Sequence, residues 1–80
     1  MMLIEILGTG CSKCFSLERH VRKAIEKIGA EAEIKRVEDI NEIIERGVIN
    51  VPGLFINGEL ILTGKVLGVK DLMKIIVEKR

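Results

Sequence analysis

The chain has 80 residues, of which 48% are hydrophobic, 31% are charged and 2% are aromatic. Its 13 basic and 12 acidic residues leave a formal net charge of +1. This length predicts one domain over residues 1–80, because two independent cores do not fit in so short a chain, and the apolar fraction excludes a disordered chain.

Nucleic-acid binding and membrane insertion find little support in the sequence. No basic run stands out, and Phe15 and Phe55 are the only aromatic residues, too few for a stacking platform. No apolar stretch approaches the roughly 18 residues that span a membrane. Residues 1–7 have no basic leader and predict a strand rather than a signal peptide, so we expect a cytoplasmic protein.

The first part of the chain predicts a strand, a helix and a second strand. Met2–Leu7 is short, apolar and rich in β-branched residues, and the following residues 8–10 form a Gly-Thr-Gly loop. From about Ser12 to Ile28 apolar residues recur at three- and four-residue spacing, and Gly29 is a natural helix end. The mostly alternating segment at residues 32–37 predicts the second strand.

A short second helix follows. Asp39 is a suitable N-cap, and we expect Ile40, Ile43 and Ile44 to face inward, with Gly47 ending the helix. Phe15 and Met73, in other predicted helices, are also expected to fill the core.

The last part of the chain predicts a β-hairpin and a final helix. Asn57-Gly58 lies between the apolar runs Leu54–Ile56 and Glu59–Leu62, and Asn-Gly in that position is a strong hairpin signal. The final helix is predicted to begin near Gly68 or Val69.

The predicted order is therefore β-α-β-α-β-β-α. The first strand-helix-strand unit should be right-handed with parallel strands, and the tight hairpin must be antiparallel. We expect an α/β three-layer sandwich, with helices on both faces of a mixed four-stranded sheet whose first strand is central.

The two cysteines form a Cys-x-x-Cys pair, Cys11 and Cys14. A disulfide across so short a loop restrains the unfolded chain little, so the pair is predicted to serve redox chemistry or metal binding. Cys11 falls where the glycine-flanked loop meets the first helix. Unpaired N–H groups and the positive end of the helix dipole stabilise a thiolate there.

The two cysteines are predicted to have different roles. Cys11, preceded by the glycine-containing loop, should be the exposed nucleophile, and Cys14, inside the helix, should be the shielded resolving thiol. Ser12 and Lys13 between them should tune the redox potential.

A zinc site is not expected within one chain. Structural zinc takes four ligands, and besides the two cysteines His20 is the only further candidate of the usual kind. Nothing places His20 near the thiols, so we expect a surface or boundary histidine.

The motifs Gly8-Thr9-Gly10-Cys11-x-x-Cys14, Val51-Pro52-Gly53, Asn57-Gly58 and Thr63-Gly64 resemble those of the thioredoxin/glutaredoxin superfamily. More closely, the chain resembles the small redox-active disulfide proteins of archaea and bacteria. The resemblance covers essentially the whole chain and implies a thioredoxin-like fold. It implies a cis Val51–Pro52 bond, substrate contacts with the Val51 backbone, and a glycine at position 64 that keeps one side of the site open.

The resemblance also implies the activity. A thiol–disulfide oxidoreductase of this kind reduces protein disulfides, takes electrons from an upstream reductase or a low-molecular-weight thiol, and needs neither a cofactor nor a metal. We expect it to act as a monomer. Ser12-Lys13 departs from the Gly-Pro of thioredoxins and the Pro-Tyr of many glutaredoxins, and the tryptophan of the thioredoxin motif is absent.

Glu5 lies six residues before Cys11, where thioredoxins keep a buried acid that helps to move the proton of the resolving cysteine. If it faced the same side, it could be a general base with a raised pKa. Because carboxylates are rarely buried unpaired, we predict instead a solvated carboxylate.

Two other functions remain open from the sequence. The Cys-x-x-Cys loop also resembles that of heavy-metal-associated domains, in which two thiolates bind Cu(I). Those domains end on a strand and this chain is predicted to end on a helix, which favours the redox function. The third alternative is a thioredoxin-like module whose thiols sense oxidation without turnover.

Overall fold

Four strands and three helices follow one another in the predicted order in the computed structural model, which describes residues 1–79. The elements are β1 Met2–Leu7, α1 Ser12–Ile28, β2 Ala32–Val37, α2 Ile40–Glu45, β3 Gly53–Ile56, β4 Glu59–Thr63 and α3 Val69–Lys79.

The strands form one mixed sheet in the order β2-β1-β3-β4. β1 pairs in parallel with β2, from Met2 opposite Ala32 to Leu7 opposite Val37. On its other side β1 pairs antiparallel with β3, and β3 pairs antiparallel with β4. The prediction of a mixed sheet with the first strand in its interior is confirmed.

The larger apolar cluster lies between the sheet and the helices α1 and α3. Because side chains alternate along a strand, residues 2, 4 and 6 of β1 face these helices. The buried members of the cluster are Met2, Ile4, Ile6, Leu17, Val21, Ala24, Leu54, Ile56, Leu62, Leu72 and Ile76. Met73 packs against this cluster, as predicted.

A smaller cluster covers the opposite face of the sheet under α2. Its buried members are Leu7, Val37, Ile43, Val48 and Phe55, with Val51 packed against them. Since each face of the sheet has helices over it, the molecule is the expected three-layer α/β sandwich.

The hairpin turn and the helix ends follow the local signals in the sequence. Asn57 and Gly58 have φ angles of 51° and 84°, which the two-residue turn between β3 and β4 requires. The Asn57 side chain also accepts a hydrogen bond of 2.9 Å from the Leu3 N–H, which joins the turn to β1. Asp39 caps α2 by accepting a bond from the Asn41 N–H at 2.9 Å.

The prediction that Phe15, Ile40 and Ile44 lie in the core is wrong, because all three side chains are exposed. Phe15, Ile40 and Ile44 are 49%, 54% and 65% exposed. The helix α2 has only six residues and reaches the sheet through Ile43, which is 1% exposed; Ile44 is turned about 100° away from it along the helix. Phe15 is turned away from the buried Cys14 by the same angle.

None of the helices within residues 1–79 combines the length and the apolar character that a membrane crossing requires.

Candidate active site

Cys11 is the N-cap of α1. Its backbone is extended, with φ −74° and ψ 164°, and its Sγ accepts a hydrogen bond of 3.2 Å from the Cys14 N–H. The Cys11 carbonyl accepts the first helical bond, from the Phe15 N–H at 3.1 Å. Gly10, with φ +87°, makes the turn that leads from β1 into this helix. The thiol therefore occupies the position in which serine or aspartate commonly caps a helix.

The two thiols differ in exposure. Cys11 is half-buried, Cys14 is buried at 6% exposure, and both are free. The sequence predicts an exposed attacking thiol at Cys11 and a shielded thiol at Cys14, and these two roles require such a difference in exposure.

The same geometry separates their pKa values. The pKa of Cys11 is lowered, first because the Cys14 side chain hydrogen-bonds to it, and further because backbone N–H groups of Cys14 and Lys13 stabilise the thiolate. The pKa of Cys14 is raised, first by burial and then by its hydrogen bond with Cys11. On deprotonation the charge is therefore favoured on Cys11. Ser12 and Lys13 are both exposed on this first turn.

Gly8 forms the wall behind the Cys14 thiol. A Cβ at this position would overlap Cys14 Sγ, and it would lie 3.3 Å from Cys14 Cβ and 3.8 Å from Val51 Cβ. Gly8 is held in place by its N–H, which donates to Val37 O at 2.9 Å. From the sequence, Gly8 is predicted only to belong to the loop after β1 and to the motif that carries the family resemblance. Its position three residues before Cys11 is the available signal for a closer role.

The segment before β3 supplies the other side of the site. The Val51–Pro52 peptide bond is cis, Pro52 is fully buried, and Val51 lies beside Gly8 and Cys14. The Pro52 carbonyl accepts a hydrogen bond of 2.9 Å from the Gly64 N–H. Gly64 has φ +75°, a conformation that glycine adopts readily. The fold thus brings together the residues that the resemblance assigns to the site.

Comparison with known proteins decides the family. A family model described as a thioredoxin domain matches residues 2–77. A thioredoxin of Methanothermobacter thermautotrophicus is 38% identical over 76 residues, which cover 95% of this chain and 99% of that protein. The chain belongs to the thioredoxin family. It is accordingly a protein thiol–disulfide oxidoreductase.

Further thioredoxins are similar in sequence or in fold. A thioredoxin of Methanocaldococcus jannaschii is 40% identical over 72 residues, covering 90% of this chain and 83% of that one. The crystal structure of chloroplastic thioredoxin z superposes with a TM-score of 0.75 at 17% identity, covering 98% of this chain and 77% of that chain. Thioredoxin-2 of the malaria parasite gives a TM-score of 0.71 at 18% identity, covering 98% and 82%.

The observed element order also separates this chain from heavy-metal-associated domains. The chain has α3 after its last strand, whereas those domains end on a strand. The helix expected at the end is present at Val69–Lys79.

Glu5 is neither the solvated carboxylate that the sequence predicts nor a carboxyl group with the raised pKa of a general base. It is 5% exposed rather than solvated, and both of its oxygens accept from Arg46, at 3.1 Å from Nη1 and 2.7 Å from Nη2. The hydrogen bonds from Arg46 lower the pKa of Glu5 against the opposing effect of burial. This lowered pKa is the opposite of the raised pKa that the general-base hypothesis needs. Arg46 is 41 residues away in sequence, so no local pattern reveals the pair.

Arg46 connects this acid to α2. It follows the last residue of that helix as its C-cap, its Nη2 lies 3.4 Å from Glu42 Oε2, and its guanidinium lies over the Phe55 ring at 5.2 Å. The buried pair therefore joins β1 to the end of α2, a few residues before the Val51–Pro52 segment.

His20 lies at the boundary of the core, as predicted. It is half-buried, and its Nδ1 is 2.9 Å from the Leu67 carbonyl, to which it donates. This contact ties α1 to the loop before α3.

We predict that Gly8→Ala slows the resolving step. The added methyl group must displace Cys14 Sγ, and a shift of about 1 Å in a reacting group can lower a rate by about 10²-fold. Insulin-disulfide reduction should fall at least several-fold, with mixed disulfide accumulating in quenched samples. Gly68→Ala is the matched control, because nothing lies within 4 Å of its added Cβ. Equal rates for Gly8→Ala and the control would show that Gly8 does not position the thiol.

We predict that Arg46→Met destabilises the fold by about 3 kcal/mol, because it leaves a buried carboxylate without its partner. Urea denaturation at neutral pH measures this. Arg22→Met, which removes an exposed partner of Glu18, should cost less than about 1 kcal/mol. Equal losses in the two variants would contradict this account of the buried pair.

The same pair predicts a pH dependence. Because the pKa of Glu5 is lowered in the folded protein, its stabilising contribution is complete above the ordinary value of 4.5 and is lost as the pH falls through the folded-state value. The stability difference between the wild type and Arg46→Met should therefore narrow in acid. A difference that stays constant below pH 4.5 would be inconsistent with this linkage.

Proposed function

We propose that this protein reduces disulfides of partner proteins with the dithiol Cys11–Cys14, Cys11 being the nucleophile and Cys14 the resolving thiol. The observation that carries the proposal is the N-cap geometry, in which Cys11 Sγ accepts the Cys14 N–H at 3.2 Å while Cys14 itself is buried. The two effects act in the same direction: one stabilises a thiolate on Cys11 and the other keeps Cys14 protonated until it is needed.

In the first step the Cys11 thiolate attacks one sulfur of the partner's disulfide. The partner's S–S bond breaks, a mixed disulfide forms between Cys11 and the partner, and the second partner sulfur leaves as a thiolate that takes a proton from solvent. The lowered pKa of Cys11 supplies the attacking thiolate.

In the second step Cys14 loses its proton and attacks Cys11 Sγ. The mixed disulfide breaks, the Cys11–Cys14 disulfide forms, and the remaining partner sulfur leaves as a thiolate. The partner gains two electrons and the dithiol loses them. Glu5 is bound by Arg46 and has a lowered pKa, so it is unsuited to accept the Cys14 proton. In our proposal this proton passes to the departing partner thiolate.

The partner chain binds beside Val51 in strand-like fashion. The position of Val51 next to Gly8, whose added Cβ would lie 3.8 Å from Val51 Cβ and would overlap Cys14 Sγ, supports this placement. Ser12 and Lys13, exposed between the cysteines, tune the potential.

An upstream reductase or a low-molecular-weight thiol then supplies two electrons to restore the dithiol. No bound cofactor or metal is required by these steps. We propose that residues 1–80 act as one domain and as a monomer, in the cytoplasm.

Single-turnover reduction of insulin by the fully reduced protein, with no other reductant present, tests the proposal. The wild type should reduce insulin and end as the Cys11–Cys14 disulfide. Cys11→Ser should lose all measurable reduction, because no thiolate remains at the helix N-terminus. Cys14→Ser should stop at a mixed disulfide, which mass spectrometry detects, because nothing resolves it.

The outcomes separate the competing functions. Turnover in Cys11→Ser would contradict the assigned roles. A wild-type protein that oxidises reversibly but reduces no insulin would instead be a redox-sensing module.

A further inference from the structure

An open groove of about 380 Å³ runs along the outer side of α1 towards β2. It is lined by Phe15, Glu18, Arg19, Arg22 and Arg36, and we call it the arginine groove. None of these residues takes part in the proposed thiol chemistry.

The arginine groove begins at the dithiol. Phe15 directly follows Cys14 in the chain, and a Cβ built on Gly10 would lie 3.9 Å from Phe15 Cζ. Phe15 and Arg36 also line a narrow crevice of about 10 Å³, whose other walls include Gly10 and Cys14. A chain bound at Cys11 can therefore continue past Phe15 into the groove without leaving the surface.

The groove carries an excess of positive charge, since three guanidinium groups face one carboxylate. Glu18 is 12% exposed, and its oxygens are already used by Arg22 at 2.9 Å and Arg36 at 3.1 Å. Arg22 and Arg36 nevertheless remain 60% and 48% exposed, and Arg19 is exposed as well. One further acid, Glu38, lies 3.9 Å from Arg36 and is 58% exposed.

Phe15 gives the groove an apolar floor. Its ring is 49% exposed, and the Arg36 guanidinium lies over it at 5.6 Å from the centroid. Stacking on the ring fixes the orientation of that guanidinium. Exposed aromatic and arginine side chains in contact are typical of residues that dominate protein–protein binding.

We propose that the arginine groove docks an acidic segment of the partner protein, close in sequence to the cysteine that Cys11 attacks. The inference rests on the proposed disulfide reduction and specifies which partners it favours. Arg22 lies eleven positions after Cys11 along α1, a distance of about 16 Å, which five residues of extended chain cover. The acidic residues of the partner are therefore expected within about five positions of its cysteine.

This surface is separate from the one that holds the partner at Val51. Arg36 belongs to β2 and the Val51–Pro52 segment leads into β3, and these strands flank β1 on opposite sides. A partner can use both surfaces at once, with the attacked sulfur between them.

Reduction of synthetic disulfide peptides tests the inference. The peptides share one sequence apart from acidic, neutral or basic residues within about five positions of the cysteine. At low ionic strength the acidic peptide should have a kcat/KM about three- to tenfold above that of the neutral one, as expected for a few exposed charge pairs. The basic peptide should be the slowest. At about 1 M salt, where the Debye length falls to about 3 Å, the preference should disappear.

Arg19→Gln/Arg22→Gln should abolish the preference for the acidic peptide and leave the rate with the neutral peptide unchanged. The matched control is Lys27→Gln/Lys74→Gln, which also removes two exposed positive charges but outside the groove, and it should keep the preference. Position 27 is about 20 Å from Cys14 along α1.

Each alternative result has a distinct meaning. Equal rates for the acidic, neutral and basic peptides would overturn the docking inference and leave the proposed function intact. Failure to reduce any peptide would overturn the proposed function, and the docking inference with it.

Oxidised glutathione, a small anionic disulfide, is the remaining probe. If the groove variant slows its reduction as much as that of the acidic peptide, the groove binds small anions and the assignment to a protein segment is wrong.

Discussion

The hydrogen bond from the Cys14 N–H to Cys11 Sγ, at 3.2 Å, is the contact on which the proposed disulfide chemistry of this protein depends. It exists because β1 lies inside the sheet and ends at a glycine-containing loop, so that α1 begins with Cys11 at its cap. One helical turn then sets both sulfurs together, with one half-buried and the other buried. The lowered pKa of Cys11 and the raised pKa of Cys14 both follow from this placement.

The buried Glu5–Arg46 pair gives the acid of β1 a structural use in this chain. The resemblance to other thioredoxins suggests a proton acceptor, but an acid whose two oxygens accept from one guanidinium has a lowered pKa and stays ionised. Its contribution is to hold the end of α2 against β1. In the proposed mechanism the resolving step proceeds without this carboxylate as its base.

Most of the fold could be predicted from the sequence because its signals are local. The helix periodicity of residues 12–28, the Asn57-Gly58 turn and the cysteine pair all depend on neighbours a few residues apart. The features that could not be predicted are contacts between distant parts of the chain and details of side-chain packing. The partner of Glu5 lies 41 residues away, the space that Gly8 leaves for Cys14 Sγ is visible only in three dimensions, and Ile44 is apolar yet 65% exposed on a helix too short to bury it.

The most direct test of the account is a thiolate titration, followed by ultraviolet absorbance, of the reduced wild type, Cys11→Ser and Cys14→Ser. We predict that the first thiolate of the wild type forms below the ordinary cysteine pKa of 9.0 and is absent from Cys11→Ser. The Cys14 thiol that remains in Cys11→Ser should titrate above 9.0, because burial raises its pKa. A low-pH thiolate that persists without Cys11 would contradict the central claim that the cap position makes Cys11 the nucleophile.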